Sequence, residues 1–319
     1  MLANFKIFFL QHSKNWKNIN TKLLPFADAA SEKLPLHKLL QLSLFQISVG
    51  IGIVLLVGTL NRVMIVELGV SATIVALMVA IPVLFAPIRA FVGFRSDTHK
   101  SAIGWRRIPY IWVGSLLQFG GLSIMPFALI LLSGDTHWPY WFAFFASGLS
   151  FLLVGSGIQI VQTTGLALAT DISPENVRPR VVALMYTMLL VGMVISSILM
   201  SFLLEPFSQI RLIQVIQGVA VFCFFLNLIA LWKQEARNPK STKGQQTHPP
   251  FFQIWRKFSS SKTTKRFFWA LAFGTAAFSM QDIILEPYGG EILGLSVSQT
   301  TLLSAFSSVG AFISFGLAA

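Results

Sequence analysis

"RFFWALAFGTAAFSMQDIILEPYGGEILG", Arg266 to Gly294, begins as an apolar run and ends with three acids, Asp282, Glu286 and Glu291. A membrane-spanning helix needs ~20 mostly apolar residues, and at ~1.5 Å rise a helix starting near Arg266 has crossed the hydrocarbon by Glu286. Phe278, Asp282 and Glu286 are spaced by four and share one helix face. Pro287 biases Glu286 away from helix, and Gly289-Gly290 is expected to break the helix there. The acids then sit in the last turns of a helix, where the macrodipole disfavours negative charge, so they need compensation.

Seven further stretches read the same way. The eight expected spans fall at roughly 42–60, 72–92, 108–132, 139–166, 181–204, 212–232, 266–286 and 298–319. Residues are 54% hydrophobic and 11% charged, where a soluble domain carries ~25% charged residues. The stretches are too long for barrel strands of ~10 alternating residues. The fold class expected is therefore an all-α membrane protein.

Basic residues set the expected orientation. With the N-terminus in the cytoplasm, 21 of the 24 Lys and Arg fall on the cytoplasmic side. They occupy the N-terminal segment, the 2–3 and 4–5 loops and the stretch after span six. Arg62 and Arg211 fall opposite, and Arg89 lies inside span two. The net charge of +12 is thus mainly a topology signal, and no nucleic-acid partner is expected from basic residues scattered among loops. A single cysteine, Cys223, excludes a disulfide framework within the chain. "FKIFFL" is too short for the apolar core of a signal peptide. Residues 1–41 read as a cytoplasmic tail, 42–232 as a six-helix bundle, 233–265 as a cytoplasmic linker, and 266–319 as two helices of a second, incomplete bundle. Within the linker, Phe251 to Phe258 is expected to lie on the membrane surface as a short basic-aromatic helix.

"VELGVSATIVAL", from Val66, and "EILGLSVSQTTL", from Glu291, share Leu-Gly-apolar-Ser at an offset of 225 residues, which pairs span one with span seven. Parallel repeats of this kind occur in transporter folds, with sites between the halves. In this alignment Glu286 falls on Asn61, beside Arg62. Arg62 is therefore expected to pair with Glu286 or Asp282, in a cluster with Glu291 at the periplasmic mouth. The plainer reading is that these acids face interfacial water.

The loop "GFRSDTHKSAIGWRRIPY" carries Gly93, Asp97, Gly104, Arg106 and Arg107, and "DISPENVRPR" comes after span four. Both resemble loops of the major facilitator superfamily. Taken with "LPFADAASEKLPL", "GTLNRVMIVELGV", "QFGGLSIMPFAL" and "QDIILEPYGGEILGLSV", they resemble the PucC/LhaA family over Leu24 to about Ser298. That resemblance implies a major facilitator-like bundle of twelve spans, of which this chain holds about eight. It implies an assembly factor, not an enzyme, for bacterial light-harvesting antennae in the inner photosynthetic membrane, on the core-antenna branch. Antenna polypeptides would be its partners, with membrane lipid around it and bacteriochlorophyll or its synthesis enzymes as further candidates. The alternative from the same fold is an ion-coupled solute transporter, which the scarcity of ionisable groups in the spans disfavours. A prenyltransferase would need paired Asp-rich loops, and the cytoplasmic loops hold only the single acids Asp97 and Asp171.

Side chains for a ligand are few. The five histidines, His12, His37, His99, His137 and His248, fall in tails or loops, so oxygen donors are expected for any pigment magnesium. Ser156, Gln159 and Thr163 share one face of span four, and Gln118 in span three offers another amide; these are the cavity-lining candidates. The plainer reading of each is interhelical packing. Gly192, Ser196 and Ser197 read as close helix packing. Arg89 is expected about one turn from the end of span two, snorkelling to the interface.

Overall fold

The computed structural model describes residues 35–84, 86–99, 104–134, 137–235 and 250–318. The tail before residue 35, loop residues 100–103 and linker residues 236–249 lie outside the described residues, as do His12 and His248. Among the described residues every regular element is a helix. Seven helices are long and apolar enough to cross a membrane. The eighth expected span is also helical, Val297–Ala318. The protein is an all-α membrane protein.

Helix α1 covers Leu36–Glu67 and is not uniform. It is α-helical over Leu36–Ile53 and opens into π-helical turns over Val54–Thr59 and again over Val63–Glu67. The second span is interrupted. α2, Ala72–Leu84, and α3, Ile88–Asp97, flank Ala86-Pro87. Pro87 has no N–H, and the Ala86 N–H bonds the Val83 carbonyl at 3.0 Å instead of the Pro82 carbonyl. The freed Pro82 carbonyl accepts from Gln159 Nε2 at 2.5 Å.

The remaining helices are α4 (Ile108–Leu132), α5 (Tyr140–Ile172), α6 (Arg178–Leu203), α7 (Gln209–Leu231), α8 (Phe251–Ser259), α9 (Lys262–Glu291) and α10 (Val297–Ala318). Proline at the first turn starts α4 and α6, where the missing N–H costs nothing. α7 starts at Ser208, whose hydroxyl accepts from the Arg211 N–H at 3.2 Å. α8 is the expected surface helix, with no buried residue; Phe251 packs against Phe91 and Phe94 of α3.

α1 is the hub. It packs on α5, α6 and α7, and its π-helical half meets α9 and α10. The tightest joins use glycine. A Cβ at Gly157 of α5 would stand 2.5 Å from the Gln118 backbone nitrogen of α4. At Gly192 of α6 it would stand 2.7 Å from Ile47 Cα of α1, as the small-residue spacing of span five implied. α10 packs along α6, where Ser201 and Ser298 share a 2.8 Å hydrogen bond.

The repeat is visible in the backbone. Gly69 and Gly294 both have φ +64. The Val70 N–H reaches back to Met64 O at 2.9 Å, and the Leu295 N–H to Gly289 O at 3.0 Å. The Leu68 N–H bonds Val63 O, and the Leu293 N–H bonds Tyr288 O. Each pair differs by the 225-residue offset. Both helices thus end in the same left-handed glycine cap, which satisfies carbonyls that a helix end leaves open.

α9 departs from expectation. It continues through Pro287, Gly289 and Gly290 to Glu291. Packing outweighs local propensity here. The Ile283 carbonyl, which Pro287 cannot serve, accepts from Asn61 Nδ2 of α1 at 2.6 Å. Gly290 lies against the Arg62 guanidinium and Gly289 against Thr300 and Leu303 of α10, places that larger residues would crowd.

Candidate binding cavity and charge clusters

A cavity of about 430 Å³ lies among α1, α2, α5, α9 and α10. Its apolar wall includes Ile53, Val57, Val79, Val83 and Ile158, and its polar lining includes Arg89, Gln159, Gln162, Asp282 and Ser304. The face that α5 presents is Gly155, Ile158, Gln159 and Gln162. Gln159 of the expected set is therefore on the wall. Thr163 stands beside it, bonded to Arg89, and Ser156 is not part of the lining. The stripe runs one residue earlier than its polar side chains suggested, because Gly155 makes room there for Pro82 of α2. Gln118 is buried away from the cavity, donating to the Ser48 carbonyl of α1 at 3.3 Å. It is the interhelical packing amide of the plainer reading.

Arg89 lies deeper than one turn from a helix end. Helical structure continues to Asp97, eight residues on, which is ~12 Å of rise. The side chain does not snorkel out. Its Nε donates to Thr163 Oγ1 at 2.9 Å and its Nη2 to Gln162 Oε1 at 3.1 Å.

At the end of the bundle where α1 finishes, the acids and Arg62 part company. Arg62 is buried and pairs with Glu67 Oε1 at 2.6 Å, not with Glu286 or Asp282. Its Nη2 donates to Leu295 O at 2.9 Å, which ties α1 to the loop after α9. Glu286 is fully buried; Oε1 accepts from Ser304 at 2.5 Å and Oε2 has no partner. Its carboxylate fits against Gly58, in the first π-helical stretch of α1. Asp282 lines the cavity and Glu291 is exposed. Local geometry explains the change of partner: the π-helical turn after Arg62 brings Glu67, five residues on, onto the same face.

The opposite end carries an ionic network. Arg107 pairs with Asp97 and with Asp171 at 3.0 Å, and its Nη1 donates to Ser96 at 2.7 Å. Arg106 pairs with Asp171 at 2.9 Å. Gly104 supplies the turn with φ +87, and Gly93 packs on Thr163. Sequence reading missed Glu235. Its carboxylate accepts from the N–H groups of Arg106, Arg107 and Ile108 at 2.8 to 3.3 Å, capping α4 from beyond the end of α7. No spacing rule links residues 127 to 129 positions apart, so only the fold reveals it.

Among the described residues no group of three His, Cys, Asp or Glu is placed to hold a metal ion. Oxygen donors do line the cavity. Asp282 offers a carboxylate, and Gln159 has a buried Oε1 without a hydrogen-bond partner.

A family model described as "PUCC protein" matches residues 59–319. Protein PucC of Rhodovulum sulfidophilum is 52% identical over 306 residues, covering 94% of this chain and 67% of the relative. Protein PucC of Cereibacter sphaeroides is 52% identical over 303 residues, covering 94% of this chain and 66% of the relative. An "uncharacterized protein in puhA-bchM intergenic region" of Rhodobacter capsulatus is 55% identical over 295 residues, covering 92% of this chain and 62% of the relative. The chain thus spans about two thirds of the length of these relatives. With a family match over most of its length and relatives identical at about half of the aligned positions, this multi-pass membrane protein belongs to the PucC family.

Proposed function

We propose that the protein assists assembly of bacterial light-harvesting antenna complexes, without catalysing a pigment-synthesis step. The observation that carries this reading is the 52% identity to Protein PucC over 94% of the chain. The partners are antenna polypeptides of the core type, and bacteriochlorophyll or its synthesis enzymes. The protein sits in the inner membrane with its N-terminus in the cytoplasm, which places the Arg106, Arg107, Asp171 and Glu235 network on the cytoplasmic side. The six-helix bundle 42–232 and helices 266–319, the first two of an incomplete second bundle, belong to one major facilitator-like unit. Solute transport as an alternative rests on fold alone.

Deletion of the gene tests the reading. Membranes should lose core-antenna absorption while pigment-synthesis activities persist in the extract. Normal antenna levels, or loss of bacteriochlorophyll synthesis itself, would contradict it.

A further inference from the structure

The proposed function assigns no role to Arg89, a charged side chain within span two. The interruption of span two at Ala86-Pro87 opens on the cavity, which Pro82, Val83, Ala86 and Arg89 all line. Arg89 stands in the first turn of α3, so the positive end of that helix dipole lies at the same wall. Interrupted membrane helices present such ends to anionic groups of bound ligands.

The guanidinium is held but not neutralised. Thr163 and Gln162, its two hydrogen-bond partners, are both uncharged. Among the described residues no carboxylate lies within ion-pair distance of it. These two bonds use two of the five guanidinium N–H donors, which leaves donors on both terminal nitrogens. A planar carboxylate matches such an edge with two parallel hydrogen bonds. Asp282, elsewhere on the lining, likewise has no ion-pair partner among the described residues and repels a second negative charge. The lining therefore favours a monoanion over a phosphate dianion. The lining also includes the aliphatic side chains of Val57, Val79, Val83 and Ile158. The volume of about 430 Å³ lies within the range of small-molecule sites, about 300–1,000 Å³.

We propose that this cavity binds an amphipathic monocarboxylate, its head on Arg89 and its apolar body along α1, α2 and α5. The proposal stands apart from antenna assembly and is tested without it. The full chain in dodecyl maltoside is titrated with cis-parinaric acid, a fluorescent long-chain carboxylate, and the bound probe is competed with palmitate, hexanoate, methyl palmitate and hexadecyltrimethylammonium. Palmitate should displace the probe, while the neutral ester and the cation should not. Arg89→Gln should weaken probe binding about tenfold or more, the loss of a charge-assisted hydrogen-bonded pair, and Arg89→Lys should recover part of it. Val57→Trp, which fills the cavity from α1, should abolish binding while leaving Arg89 in place. Competition by hexanoate equal to palmitate would assign the site to soluble short acids and support the carboxylate; competition by palmitate alone would assign it to membrane-derived acids. Equal binding by wild type and Arg89→Gln overturns the proposal. So does full competition by the methyl ester, or probe binding that Val57→Trp leaves intact.

Discussion

Asn61→Leu removes one hydrogen bond and little volume. The lost donor serves the Ile283 carbonyl, 2.6 Å away on α9, which Pro287 leaves without its helical partner. Interhelical hydrogen bonds in membranes contribute ~0.6 kcal/mol on average and up to ~1.7 kcal/mol. Here the carbonyl would be left unsatisfied in a partly buried place, which costs ~1–3 kcal/mol. A loss of about 1–2 kcal/mol is expected, near the top of the membrane range. Cys223, the single cysteine, is buried in α7, so a thiol-reactive fluorogenic dye reads unfolding of the detergent-solubilised protein directly. At about 2–4 °C per kcal/mol, the melting midpoint should fall by about 2–8 °C. The decisive comparison is the double variant. Pro287→Ala restores an N–H to the Ile283 carbonyl, so in that background Asn61→Leu should cost much less. Equal cost in both backgrounds would show that Asn61 does not serve the orphaned carbonyl.

Gly157→Ala should lower the midpoint by the equivalent of about 1–3 kcal/mol, because its Cβ meets backbone 2.5 Å away and backbone cannot yield; Gly120→Ala, with nothing within 4 Å, should not. Equal midpoints for the two variants would refute a tight α4–α5 join. Arg62→Glu and Glu67→Arg should each destabilise the protein, and the double exchange should regain part of the loss. Combining Arg62→Glu with Glu286→Arg should regain none, and the reverse ranking of the two double variants would make Glu286 the true partner.

The spans are legible in the sequence because the bilayer imposes a length and an apolarity that any sequence must show. The repeat is legible because its signature is a backbone requirement: Gly69 and Gly294 take the left-handed conformation that ends both helices. The features that escape depend on partners far away in the chain. Pro287 reads locally as a helix breaker, and only Asn61, on another helix, makes it tolerable. Glu235 reads as one more linker charge until α4 is seen to start beneath it. Arg89 reads as interfacial while span two is taken to end near residue 92, but the helix resumes after Pro87 and carries it inward. Repeat alignment assigns Arg62 a remote acid, because it is blind to the π-helical turn that presents Glu67.

The π-helical turns of α1 make the join between the two halves a matter of phase. A π turn is an α-helix holding one residue more than its bond pattern needs. Were Val54–Thr59 to relax into ordinary α-helix with every residue kept, composition and hydropathy would not change at all. Everything beyond would rotate by about 100° relative to Leu36–Ile53. Asn61 and Arg62 would swing off α9 together, and Gly58 would no longer face Glu286. This helix can therefore keep every apolar residue needed to cross the bilayer and still lose the partners of its second half through a change of winding.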